Sequence, residues 1–191
     1  MNIVLLGIQG SGKGTQARII VDRYKLTYFE MGGELRKLAV EESPLGLKVK
    51  EIIESGNLVP AHIIMQILDN FLSKLQPNEG VVLDGIPRNS EQQKEFDALM
   101  AKYNRDFKVM HFMVPEDETI KRLLARHRQD DIPEVITQRI KVFIRDTKPV
   151  IEEYKKRGNV IEINGNQPIE TVANEVSEKL ASYASPVTAN Q

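Results

Sequence analysis

The stretch Asn2-Ile3-Val4-Leu5-Leu6 followed by Gly7-Ile8-Gln9-Gly10-Ser11-Gly12-Lys13-Gly14-Thr15 constrains the fold more than any other part of the chain. A short apolar run bounded by glycine reads as a buried strand, and the residues from about Lys13 onward read as a helix. Between them the glycines let the backbone curl so that successive N–H groups point inward. The following helix adds the positive end of its dipole, and the loop becomes a socket for phosphate oxygens. Gly7, Gly12 and Lys13 match G-x-x-x-x-G-K in the strand-to-helix context that mechanism requires, with Lys13 as the point charge. The competing reading is a plain glycine turn with a solvated lysine.

The rest of the chain repeats the alternation of short apolar runs with amphipathic stretches, which predicts an α/β fold with a parallel sheet. Strands are expected at 2–6, 26–29, 80–84, 108–114 and 159–163. Apolar residues at three and four spacing predict a core-facing helix over 63–72. Asp131 with Glu134 reads as a capping box opening a long helix, bent or ended near Pro149 and stopped by Gly158. Residues 30–60 hold no strong strand and read as a small helical excursion, and the tail 185–191 is expected to fray. The 191 residues suit one domain.

A net charge of -1 leaves no basic field for nucleic acid or an anionic membrane, so any anion must be caught by a local cluster. There is no cysteine, which excludes disulfides and thiolate metal sites and suits a reducing cytoplasm. His62, His111 and His127 are too scattered to suggest a metal site. Met1 leads straight into the first strand with no basic flank, so neither a targeting nor a membrane segment is expected. A monomer is the default, with a homo-oligomer open.

Gly14 stands where Ser or Thr commonly follows the lysine of such loops, and Thr15 comes one later. This Gly-Lys-Gly-Thr resembles the adenylate kinase branch of the nucleoside monophosphate kinases, and the resemblance extends along nearly the whole chain. Gly32 with Arg36, the segment Gly56-Asn57-Leu58-Val59-Pro60, Asp84-Gly85-Ile86-Pro87-Arg88 with Gln92, and Arg122, Arg126, Arg128-Gln129-Asp130-Asp131 and Arg139 resemble that family's motifs in order. The fold so implied is a P-loop NTPase-type five-stranded parallel sheet with helices on both faces and a small helical NMP-binding insertion. The chain then forms one domain, 1–191, with residues 30–60 as the monophosphate lobe and 126–131 as a vestigial lid. Met31 stands where the family usually shows Ser or Thr, and Gln9 replaces its common proline; neither removes a charge that transfer requires.

The resemblance also implies roles. On the donor side, Gly10, Ser11, Gly12, Lys13, Gly14, Thr15, Arg122, Arg126 and Gln167 would hold ATP. On the acceptor side, Met31, Gly32, Arg36, Asn57, Leu58, Val59, Gly85, Arg88, Gln92, Arg128 and Arg139 would hold AMP. Lys13, Arg88, Arg126, Arg128 and Arg139 would carry catalysis, since phosphoryl transfer needs clamping and positioning rather than a nucleophilic side chain. Arg122 would stack on the donor base, or it belongs to a solvated basic helix face. Asp84, closing a strand, would hold the hydration shell of Mg²⁺, or it caps a turn. In the family the bond before the proline corresponding to Pro87 is often cis. Asp130 and Asp131 would orient Arg126 and Arg128, or cap the next helix. Gln92 would read adenine's edge, or it is a surface glutamine.

The implied reaction is MgATP + AMP = 2 ADP. A UMP/CMP kinase keeps the chemistry and changes the acceptor, and a nucleotide-driven ATPase or GTPase switch uses the same loop without needing Arg36, Arg88 and Gln92. Residues 126–131 are too few for an independent lid.

Overall fold

The computed structural model describes residues 1–126 and 132–184. Among them five strands form one parallel sheet: β1 (Asn2–Leu6), β2 (Thr27–Glu30), β3 (Val81–Asp84), β4 (Lys108–Met113) and β5 (Val160–Asn164). Their order is β2-β3-β1-β4-β5, with β1 at the centre. All five fall within a residue or two of the expected positions. Parallel strands joined by helical crossovers are covered on both faces, which is why they read in the sequence as continuous apolar runs.

Alternate residues of the strands feed two cores. Val4, Leu6, Val81, Leu83 and Val109 face one layer, where Phe29, Leu68, Phe96 and Tyr154 complete the packing. Ile3, Leu5, Val82, Met110 and Phe112 face the other, against Ala17, Ile20, Val176 and Leu180. The second layer is built by α1 (Lys13–Tyr24) and the last described helix, Ile169–Ala184. Between β2 and β3 come α2 (Met31–Ala39), α3 (Pro44–Glu54) and α4 (Ala61–Leu72), so the stretch 30–60 is helical as expected. The remaining helices are α5 (Ser90–Lys102), α6 (Glu116–Arg126), α7 (Pro133–Val142), α8 (Lys148–Lys156) and α9, the Ile169–Ala184 helix named above.

Two helix boundaries differ from expectation. The cap of α7 falls on Ile132 with Pro133 at the first helical position, one residue later than a box on Asp131 requires, because proline's fixed φ and missing N–H suit that position. Asp131 itself lies outside the described residues, as do His127, Arg128, Gln129, Asp130 and the tail 185–191. The bend comes before Pro149: Phe143–Thr147 form a π-helical turn, and Pro149 sits in the first turn of α8, where no N–H is needed. Gly158, at φ 66°, ends that helix region as expected.

Candidate active site

The C-terminal ends of β1, β2 and β3 open into one cavity of about 700 Å³. Crevices at this edge are where open α/β sheets bind ligands, because helix N-termini and loop amides converge there. Its floor is the loop after β1. Gly7 (φ 151°) is packed so that a Cβ would stand 2.6 Å from the Phe112 carbonyl oxygen, whereas Gly12 (φ 88°) faces open space. One glycine is required by the wall behind the loop; the other leaves room in front of it.

Lys13 Nζ donates to the carbonyl oxygens of Gly7 (2.8 Å) and Ile8 (2.9 Å), and more weakly to Ser11 Oγ (3.4 Å). Burial pushes its pKa down to about 8, opposed chiefly by the Asp84 carboxylate. Burial likewise raises Asp84, against the pull of Lys13 and of the Tyr28 hydroxyl, which donates to Asp84 Oδ2 at 3.1 Å. Arg88 is also shifted down by burial. The site therefore holds its charges at a cost that an anionic ligand with a countercharge would relieve.

Arg88 is held at three points. Its Nε donates to the Gly85 carbonyl (2.8 Å), its backbone N–H to Gln92 Oε1 (2.8 Å), and its carbonyl accepts from Thr147 Oγ1 (2.8 Å). The Ile86–Pro87 bond between them is cis. Gln92 is buried and also donates from Nε2 to the Val59 carbonyl (3.2 Å), which rules out a surface glutamine. Arg122 is no solvated face residue: it pairs with Glu118 (2.8 Å) and donates to the Gly165 carbonyl (3.0 Å). Arg139 Nη2 reaches the Ile53 carbonyl at 3.4 Å, and Asn57 accepts from Gln138 Nε2 at 2.9 Å, so α7 is tied to the end of α3.

One cavity is thus lined by the glycine-rich loop with Lys13 and by Arg36, Arg88, Arg122, Arg126 and Arg139. The family model for adenylate kinase matches residues 5–159. The chain belongs to the adenylate kinase family. It is 39% identical over 186 residues to the adenylate kinase of Trichodesmium erythraeum, covering 94% of this chain and 97% of that protein. Against the adenylate kinase of Methylorubrum populi it is 34% identical over 199 residues, with 98% and 100% covered. Against that of Geobacillus sp. it is 34% identical over 212 residues, with 94% and 98% covered. That match is longer than the 191 residues here, so the Geobacillus enzyme carries positions with no counterpart in this chain. As a member of the adenylate kinase family the protein is a phosphotransferase acting on nucleotides.

The residues expected from the family motifs converge. Gly10, Gly12, Lys13, Gly14, Thr15, Arg122, Arg126 and Gln167 line the cavity, as do Met31, Gly32, Arg36, Asn57, Leu58, Val59, Asp84, Gly85, Arg88, Gln92 and Arg139. Ser11 does not: it is buried behind the loop, its N–H turned to the Ile8 carbonyl (3.2 Å). Arg128 lies outside the described residues. Tyr28, Glu30 and Thr147 also line the cavity and were not singled out from the sequence. Tyr28 and Glu30 become visible only through the register of β2 on β3, which pairs Glu30 with Asp84, and Thr147 only through the π turn that presents it to Arg88.

Proposed function

We propose that the protein transfers the γ-phosphoryl group of MgATP to AMP, reversibly, giving two ADP. The observation that carries this reading is Gln92, buried at the cavity wall with its amide fixed between the Arg88 N–H and the Val59 carbonyl. An amide pinned this way keeps one N–H and one lone pair for a base that offers both an acceptor and a donor, as adenine does. The acceptor's phosphate would lie against Arg36 and Arg88, and the donor's phosphates against the loop, Lys13, Arg126 and Arg139.

An acceptor phosphate oxygen attacks the γ-phosphorus in line, the bond from that phosphorus to the β-bridging oxygen breaks, and the departing β-phosphate keeps the electron pair. No general base is needed, since the attacking oxygen is already anionic. Lys13 and the arginines hold the reacting atoms together and balance the charge that moves between them. Asp84 fits a hydrated divalent cation: it is a buried carboxylate at a strand end, raised by burial and steadied by Tyr28, and Thr15 adds an exposed residue bearing a hydroxyl in the first turn of α1, which also lines the cavity. Mg²⁺ held there through Asp84 would supply charge neutralisation for the donor phosphates. Arg128 belongs to the same proposed set.

Helices α2 and α3 serve as the acceptor lobe and 126–131 as a vestigial lid in this reading. A monomer is the default in this reading, with a homo-oligomer open, and the absence of cysteine supports a cytoplasmic setting. Among the described residues no helix is long and apolar enough to cross a membrane. The test is a coupled assay of ATP with AMP, UMP, CMP and GMP in turn: AMP is expected to have the highest kcat/KM, and an equal or higher value with UMP or CMP would reassign the acceptor.

A further inference from the structure

Among the described residues, the acidic side chains that line the cavity are Asp84 and Glu30. The two are direct cross-strand partners at the ends of β3 and β2, but they do different things. Asp84 stays with Tyr28 and Lys13. Glu30, the last residue before α2, makes no side-chain cap to that helix; it folds along the helix start and places Oε1 2.7 Å from Arg36 Nη2. The two glycines lie beside this pair: a Cβ on Gly32 would stand 3.2 Å from Arg36 Nη1, and one on Gly33 would meet Glu30 Oε2 at an ordinary contact distance of 3.4 Å.

We propose that Glu30 is a built-in stand-in for the acceptor phosphate, a carboxylate that occupies Arg36 and opposes the entry of the monophosphate. The inference rests on the reading of Arg36 as an acceptor-phosphate ligand. An incoming phosphate dianion competes with the carboxylate for the same guanidinium and is repelled by it at short range. Acceptor binding is thus an exchange of anions at Arg36, weaker than capture by an unpaired cation. The pair is partly solvated, with side chains 43% and 36% exposed, so the exchange has modest strength, worth about two- to fivefold in an equilibrium constant.

The test replaces the charge and keeps the shape. In Glu30→Gln, the Kd for AMP by calorimetry and the KM for AMP are expected to fall about fivefold, with the gain shrinking at high salt. Glu34→Gln removes an equal charge from α2 where the carboxylate pairs with Lys37 instead of Arg36, and it is expected to shift AMP affinity less than twofold. Glu30→Ala repeats the measurement should the glutamine variant prove unstable. Unchanged or weaker AMP binding in both Glu30 variants overturns the proposal, because Glu30 would then be indifferent or would serve to hold Arg36 in place for the substrate. Failure of the wild-type protein to phosphorylate any monophosphate would overturn the proposed reaction instead. Titration with AMP and with inorganic phosphate would still report on Glu30.

Discussion

Lys13 and Arg88 are cations that the folded chain holds against desolvation, and both have functional consequences that can be separated from stability. Burial holds the Lys13 pKa down to about 8. The protonated form binds phosphate, so kcat/KM for ATP is expected to be level below about pH 8 and to fall above it, while kcat at saturating nucleotide holds to higher pH because bound phosphates restore the proton. A kcat/KM profile that stays flat to pH 9.5 would remove Lys13 from this role. The sign for stability is opposite. The folded pKa lies below the unfolded value of 10.5, so the charged lysine costs stability below about pH 8, and the cost fades as pH rises from about 8 toward 10.5. Arg88→Ala is expected to lower kcat by at least about 100-fold, since it removes a charge-assisted fork from the acceptor. Its thermal midpoint should change little, because burial and the like charges of Arg139 and Arg36 oppose the guanidinium while Asp84 and the Gly85 carbonyl favour it. Near-normal turnover at saturating nucleotide would exclude Arg88 from the reaction.

At the scale of elements, the π turn between α7 and α8 matters because it presents Thr147 to the Arg88 carbonyl. Thr147 is buried and its hydroxyl spans 2.8 Å to that oxygen. Thr147→Val keeps the shape and strands a half-buried acceptor, so unfolding free energy should drop by about 1–2 kcal/mol. The KM for AMP should rise severalfold as Arg88 loses one of its three restraints. Loss of stability with an unchanged KM would make Thr147 a packing residue only. This turn was not legible in the sequence, and the reason is physical: a π turn inserts a single residue into a helical pattern, and Pro149, the obvious breaker nearby, is harmless in a first turn. The five strands were legible because burial on both faces makes each a contiguous apolar run. The glycine loop was legible because its spacing serves a ligand rather than a core. Glu30 and Tyr28 were hidden for a third reason, since their meaning depends on which strand lies beside β2, and sequence spacing does not give lateral order.

The whole molecule gathers many cations around one cavity with two carboxylates among them, and its described parts come from both ends of the chain. Gln16 on α1 donates to the Ile169 carbonyl at the start of α9 (3.0 Å), which ties the helix after the loop to the segment carrying Gln167. Water is a competing acceptor in such a site, and excluding it is the work of whatever covers the phosphates. ATP hydrolysis without AMP is expected to be measurable but below about one-hundredth of the transfer rate, read as ADP formed with and without AMP. Hydrolysis rivalling transfer would mean that the short segment at 126–131 and its neighbours do not shield the site. A weak hold on the donor base should let GTP, CTP or UTP substitute in part, and strict ATP selectivity would contradict that. The central claim is that one chain aligns MgATP with AMP. Initial rates with ATP and each of AMP, UMP, CMP and GMP measure it directly: AMP should give the highest kcat/KM, with two ADP formed per turnover, whereas an equal or higher value for a pyrimidine monophosphate would contradict the account.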